Sequence, residues 1–121
     1  MRTRLLVTVV LAMTACNPAP EAAPAGEPAE DLRVGLTDFA ISVSAGGVAA
    51  GEVDLQVTNA GATAHDLRIE GETVKVAIPT LEPGATTSTT VDTAGSRTLT
   101  LWCTLPGHRR QGMETTIDVA T

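Results

Sequence analysis

Three residues whose side chains bind soft metal ions lie close together near the end of the sequence. Cys103, His108 and Met113 are separated by four residues in each interval, and a Pro-Gly pair precedes the histidine. Two histidines and one cysteine, with a weak axial methionine, form the ligand set of a mononuclear electron-transfer copper site. His65 is the one other histidine of the chain, so it is the candidate for the remaining ligand.

Short β-strands would have to position these residues. Apolar and polar side chains alternate, and Gly/Pro-containing turns separate the alternating stretches. The candidate strands cover residues 32–36, 41–43, 53–57, 65–69, 74–78, 86–91, 99–103 and 117–119. This pattern predicts an all-β, antiparallel sandwich of seven to eight strands. The segment 74–78 is expected to end at Pro79, and a short helical turn near residues 72–82 stays open as an alternative.

Strand parity brings two of the candidate ligands together. His65 shares a strand face with Leu67 and Ile69, and Cys103 shares one with Leu99 and Leu101. Because side chains alternate between the two faces of a strand, both candidate ligands are expected to point inward. Both lie at strand ends, so they can meet at one end of the sandwich. His108 and Met113 would then fold back over them from the loop.

The segment Cys103–Met113 resembles the ligand loop of the cupredoxins, the small blue copper proteins. Its Cys-x4-His-x4-Met spacing is similar to that of the auracyanin and rusticyanin type. Val57–Gly61, which leads to His65, resembles the first-histidine strand of the family. Thr37-Asp38-Phe39 resembles an early core motif of the family.

This resemblance implies a Greek-key sandwich, a cupredoxin-like domain over residues 31–121, and one copper ion per chain. The ligands would be His65, Cys103 and His108, with Met113 axial. It also implies that Gly112 brings backbone close to the metal, and that His108 is the partly exposed ligand through which electrons pass. The implied function is electron transfer; the alternative is copper storage or delivery without a redox role.

One residue departs from the family pattern. The family commonly has Asn directly after the first histidine, where this chain has Asp66. Two interpretations stay open. Thr104 donates a hydrogen bond to Asp66, whose negative charge then lowers the reduction potential of the copper. Alternatively, Asp66 points to solvent, as plain strand alternation predicts.

Arg109 and Arg110 flank His108 on an otherwise acidic chain, which has 14 Asp and Glu against 8 Lys and Arg. They would steer an acidic redox partner to the exposed ligand, or they are solvated loop charges. The donor and acceptor proteins cannot be inferred from the sequence. The acidic balance excludes nucleic acid as a partner, because phosphates require a basic surface. We expect the protein to be a monomer.

The beginning of the chain is typical of an exported protein. Residues 1–15 combine two arginines, a short apolar run and small residues before Cys16. Leu-Ala-Met-Thr-Ala-Cys resembles a bacterial lipobox, so Cys16 is the predicted lipidated residue of a membrane-anchored lipoprotein facing the periplasm or the cell exterior. The alternative is ordinary cleavage near Ala15. Residues 16–30 then form a disordered Pro/Ala/Glu tether, which argues against a disulfide between Cys16 and Cys103.

The residue counts exclude several other metal sites. Zinc is disfavoured because methionine is a poor zinc ligand and structural zinc sites usually offer several cysteines. A binuclear copper centre needs a second cysteine in the loop, which is missing. Copper oxidases and nitrite reductases need further histidines for a catalytic copper, whereas this chain has only two. The sequence therefore predicts a protein that is not an enzyme.

Overall fold

The computed structural model describes residues 28–121. The predicted signal peptide, the predicted lipidation at Cys16 and all but the last residues of the predicted tether lie outside the described residues. At the domain boundary, the Ala29 carbonyl accepts a hydrogen bond from Ala49 N at 2.8 Å. The first strand begins at Asp31.

Nine short strands and one short 3-10 helix make up the described part of the chain. The strands are β1 (Asp31–Thr37), β2 (Ala40–Val43), β3 (Gly47–Val48), β4 (Glu52–Asn59), β5 (His65–Glu70), β6 (Lys75–Leu81), β7 (Thr86–Asp92), β8 (Thr98–Trp102) and β9 (Glu114–Val119). The 3-10 helix, Arg109–Gln111, lies between β8 and β9. Alternation of buried and exposed residues is clearest in β1 and β4, and β5 alternates buried with half-buried residues, as the period-two pattern predicts.

The strands form two sheets, one in the order β2-β1-β4-β7 and the other in the order β3-β9-β8-β5-β6. The prediction of an all-β sandwich is confirmed. The expected antiparallel pairing holds for five of the seven pairings between the described strands and is wrong for two, because β1 pairs with β4 and β3 pairs with β9 in parallel. The chain leaves the first sheet after β2, passes through β3 in the second sheet, and returns as β4. Such a crossover between sheets allows parallel neighbours, which a tight hairpin cannot connect.

Two local expectations are also wrong. The strand predicted to end at Pro79 continues to Leu81, because β6 is an edge strand on which a missing N–H is tolerated. The same strand occupies the segment for which a helical turn was the alternative. β3 has no counterpart among the candidate strands, because its two residues are too few to produce a recognisable alternation.

Aliphatic side chains from both sheets fill the space between them. Leu36, Val57 and Leu101 are among the fully buried residues. The candidate ligands His65, Cys103 and Met113 are buried at one end of this core. None of the helices in the described residues is long and apolar enough to cross a membrane.

Candidate metal centre

His65 is the first residue of β5, and its side chain is fully buried. Leu67 and Ile69 are buried on the same strand face, as parity predicts. The pairing of β5 with β6 shifts register between His65 and Leu67. Such an irregularity is common beside functional sites, where it changes the direction of a side chain.

Cys103 and Met113 lie opposite each other just beyond the ends of β8 and β9. The Cys103 N–H donates a hydrogen bond to the Met113 carbonyl at 3.2 Å. The pairing of Trp102 with Glu114 therefore extends by one residue on each strand. Both side chains are completely buried. The sheet thus holds the backbones of these two candidate ligands side by side.

The loop between them presents His108. Met113 N donates to the His108 carbonyl at 3.2 Å, and His108 N donates to the Leu105 carbonyl at 3.1 Å. The 3-10 helix Arg109–Gln111 follows His108 and ends at Gly112, whose φ of 108° lies in the left-handed region. This conformation favours glycine and turns the chain back towards β9. His108 is half-buried.

The structure brings three donor atoms together. His65 Nδ1 lies 3.2 Å from His108 Nδ1, and Cys103 Sγ lies 3.5 Å from the same His108 atom. All three donor atoms lie within 4.8 Å of one another. Two ligand atoms bound to one ion at about 2.0–2.3 Å are necessarily within about 4.6 Å of each other. The two contacts at His108 Nδ1, 3.2 and 3.5 Å, satisfy this limit, so the cluster is compact enough for one ion.

The surroundings of Cys103 act on its thiol in opposite directions. Burial raises the pKa of the Cys103 thiol, and this is the largest effect. Backbone hydrogen bonds from Leu105 and Asp66 lower that pKa by stabilising the thiolate. In the metal-free protein the net effect favours the neutral thiol, so a bound cation has to compensate for the buried negative charge.

Asp66 joins the two ligand-bearing segments. Its Oδ1 accepts a hydrogen bond from Thr104 N at 2.6 Å, and its Oδ2 accepts one from Thr104 Oγ1. Arg68 pairs with Trp102 across β5 and β8, so the same register places Asp66 opposite Thr104. The structure shows the Thr104 hydrogen bond of the first sequence-based interpretation; the effect of Asp66 on the reduction potential of the copper stays a prediction. The Asp66 side chain continues the contact between the strands beyond the last regular pair.

Two further side chains lie at the site without having been predicted from the sequence, those of Asp38 and Asn59. Asp38 Oδ1 lies 2.9 Å from His65 Nε2, on the side of the imidazole opposite the donor cluster. Asn59 is fully buried; its Nδ2 donates to the carbonyls of Thr63 and Leu81, and its Oδ1 accepts from Gly61 N. An Asn at the end of a predicted strand signals a turn, but nothing in the sequence signals the contact from Asp38.

The resemblance of residues 37–39 to a core motif gives a wrong expectation for Phe39. Its side chain is 38% exposed, and its φ is 66°, which is unusual for a bulky residue. The ring packs edge-on against the His108 imidazole, with 5.2 Å between ring centroids. Phe39 therefore lines one side of the candidate site, next to the half-buried His108.

The two loop arginines differ in their contacts. Arg109 donates two hydrogen bonds to Glu114, at 2.8 and 2.9 Å, and its guanidinium lies 4.5 Å from the centre of the Trp102 ring. The Glu114 hydrogen bond raises the pKa of Arg109. Arg110 is exposed and takes part in none of the ion pairs formed by residues 28–121. Of the two loop arginines, Arg110 is therefore the one whose charge is not paired among the described residues.

The donor set fits copper. A buried thiol, two imidazole nitrogens and a buried methionine are the combination that copper electron-transfer sites use, and the methionine argues against zinc. At Gly112 a Cβ would make only an ordinary contact, 3.5 Å from the Phe39 carbonyl oxygen, so the close approach of its backbone to the metal stays a prediction.

Two solved auracyanin structures have a fold similar to that of this chain. An auracyanin from the photosynthetic bacterium Roseiflexus castenholzii, reduced with sodium dithionite, superposes with a TM-score of 0.67 at 19% identity, covering 78% of this chain and 100% of that one. Auracyanin B superposes with a TM-score of 0.60 at 20% identity, covering 78% of this chain and 91% of that one. The chain has the cupredoxin fold, as the resemblance of its ligand loop implies.

A larger protein contains a similar domain. A multicopper oxidase from Campylobacter jejuni superposes with a TM-score of 0.60 at 11% identity, covering 82% of this chain but only 31% of the oxidase. No protein-family model matches the sequence, and no curated protein matches it. Because identities are at most 20% in these three superpositions, the likeness concerns the fold.

Proposed function

We propose that this protein is a single-electron carrier with one mononuclear copper ion, which alternates between Cu(I) and Cu(II). His65, Cys103 and His108 are the proposed equatorial ligands, and Met113 is the proposed axial ligand. The observation that carries the proposal is the convergence of three donor atoms within 4.8 Å at the buried end of the sandwich.

The backbone around the ligands suits electron transfer. Cys103, His108 and Met113 are connected by main-chain hydrogen bonds of 3.2 Å, and Asp66 joins the His65 strand to the segment after Cys103. Ligands fixed in this way move little when the metal changes its charge. A bound copper ion supplies the one-electron couple, and the protein contributes a site that needs little rearrangement.

His108 is the proposed point at which electrons enter and leave. It is half-buried, whereas His65, Cys103 and Met113 are fully buried. Phe39 covers one side of its ring and is the large hydrophobic residue with the greatest exposure in the described part of the chain. A redox partner that contacts this edge approaches the copper more closely than one bound elsewhere.

A carrier is favoured over an enzyme. Residues 28–121 contain one cluster of His, Cys, Asp and Glu suited to a metal, and both histidines of the chain belong to it. A catalytic copper would need further histidines. The chain covers only 31% of the Campylobacter jejuni oxidase, so most of that enzyme lies outside the similar domain.

Location and partners are proposed from the sequence. The export signal in residues 1–15 and Cys16 support a lipoprotein tethered outside the cytoplasm, in the periplasm or at the cell exterior. The exposed charge of Arg110 supports redox partners with an acidic docking surface. We propose that the carrier works as a monomer.

Titration of the metal-free protein with copper tests the proposal. We expect binding to saturate at one copper per chain, followed by reversible reduction and oxidation with a single midpoint potential. Copper that is passed to a chelator as colourless Cu(I), without a reversible couple, would instead show a delivery protein.

A further inference from the structure

A carboxylate contacts the buried histidine on the side away from the donor cluster. His65 Nδ1 faces His108 Nδ1 at 3.2 Å, while His65 Nε2 lies 2.9 Å from Asp38 Oδ1. An imidazole that binds a metal through Nδ1 carries its proton on Nε2, and that proton needs an acceptor when the ring is buried. Asp38 supplies this acceptor.

The turn between β1 and β2 holds Asp38 in place. Its carboxylate accepts hydrogen bonds from Ala62 N and Thr63 N at 3.3 Å each, and from Thr63 Oγ1 at 3.0 Å. These bonds join the β1–β2 turn to the loop before His65. The hydrogen bond with His65 is the largest effect lowering the pKa of Asp38, and the Thr63 bond adds to it. The Asp38 side chain is 37% exposed, so solvent screens part of its charge.

Gly61 leaves the space that this contact needs. A Cβ at position 61 would lie 2.7 Å from Asp38 Oδ1 and 3.0 Å from His65 Nε2. Any side chain there would push into the hydrogen bond. The loop before His65, the β1–β2 turn and β5 therefore pack closely around the contact between Asp38 and His65.

We propose that Asp38 is a positioning residue of the copper site. It fixes His65 in the tautomer that presents Nδ1 to the metal, and its negative charge favours Cu(II) over Cu(I). This inference rests on the proposed function, because it assigns a role towards the same metal. Carboxylates bound to ligating histidines act in this way in metal sites generally.

The first test uses metal-free protein and needs no copper. The ¹⁵N chemical shifts of the His65 ring show which nitrogen carries the proton. We expect the Nε2–H form alone in the parent protein and in Asp38→Asn, whose amide oxygen still accepts, and a mixture of tautomers in Asp38→Ala. A single Nε2–H tautomer in Asp38→Ala would overturn the proposal.

Thr63→Val is the matched control for the tautomer. Thr63 Oγ1 lies 3.4 Å from His65 Nε2, so it is the other oxygen able to accept the proton. The valine variant keeps the side-chain shape, and we expect it to keep the Nε2–H tautomer. Loss of the tautomer in Thr63→Val, with retention in Asp38→Ala, would assign the role to Thr63 instead.

The second test uses copper-loaded protein. We expect the copper affinity of Asp38→Ala to fall by about 10- to 100-fold, as for other partners of ligating histidines. Asp38→Asn should raise the midpoint potential, whereas Asp31→Asn, which removes the same charge at the far end of β1, should not. Equal shifts in both variants would overturn the electrostatic part of the proposal. If the parent protein binds no copper, the proposed function is contradicted. The tautomer measurement on metal-free protein would still test the role of Asp38.

Discussion

Cys103 and Met113 face each other across the ends of β8 and β9, where the Cys103 N–H donates a hydrogen bond to the Met113 carbonyl at 3.2 Å. This contact closes a loop that carries His108 at its centre. The same sheet that builds the core therefore holds the backbones of Cys103 and Met113 next to each other. After His108, a short 3-10 helix and a glycine in the left-handed region bring the chain back to Met113.

Met113 is expected to tune the potential rather than to hold the copper. Met113→Leu keeps most of the buried volume and removes the sulfur, so folding should change by less than about 1.5 kcal/mol. Three strong ligands remain, and we expect copper to be retained with a higher midpoint potential, because the lost donor stabilises Cu(II) more than Cu(I). Voltammetry and metal analysis of the same preparation check this. An unchanged potential at full copper content would argue against an axial thioether.

Asp66 is expected to lower the potential through its charge. Asp66→Asn keeps an oxygen for Thr104 N but removes the negative charge, so the midpoint potential should rise. Thr104→Val is the matched comparison, since it removes the hydroxyl donor and leaves the charge. That variant should lose about 1 kcal/mol of stability with a smaller change in potential. A potential that is unchanged or lower in Asp66→Asn would contradict the electrostatic role.

Phe39 is expected to be strained. A residue with a Cβ at its φ of 66° is disfavoured by roughly 1–2 kcal/mol, whereas glycine is not. Both Phe39→Ala and Phe39→Gly remove the ring from His108, so their difference isolates the backbone. We expect the glycine variant to be more stable than the alanine variant by about 1 kcal/mol in urea unfolding of the metal-free protein. Equal stabilities, or a more stable alanine variant, would show that the turn is unstrained.

Arg110 is expected to attract anionic redox partners. Hexacyanoferrate(III) serves as a simple anionic probe that oxidises the reduced protein. Arg110→Ala should slow this reaction at low ionic strength, and the difference should vanish at high salt, where exposed charges are screened.

Two controls distinguish the effect of the local charge of Arg110 from that of the net charge of the protein. Arg33→Ala removes an exposed positive charge from β1, and Arg109→Gln with Glu114→Gln removes the ion pair without changing the net charge. Both should leave the reaction rate close to that of the parent. A decrease with Arg33→Ala as large as with Arg110→Ala would show that only the overall charge matters.

Much of the fold and of the donor cluster follows from local sequence patterns. Alternation predicts the inward direction of His65 and Cys103, because a strand has a period of two whatever surrounds it. The spacing of Cys103, His108 and Met113 predicts a single metal-binding loop. These features depend on residues close together in the chain.

The remaining features depend on residues that are distant in sequence. Asp38 contacts His65 only because the β1–β2 turn packs against the loop before β5. The exposure of Phe39 has the same origin, since its position beside His108 follows from the packing of two loops. The parallel pairing of β1 with β4 likewise depends on how the chain crosses between sheets, which alternation does not encode.

The visible and EPR spectra of the copper-loaded protein, compared with those of Cys103→Ser, test the central claim most directly. A copper–thiolate bond gives intense visible absorption and an unusual Cu(II) EPR signal, whereas ordinary nitrogen and oxygen ligands do not. We predict strong colour in the parent protein, removed by reduction and restored by oxidation, and its loss in Cys103→Ser. A weakly coloured parent protein whose spectra are unchanged by Cys103→Ser would contradict the account.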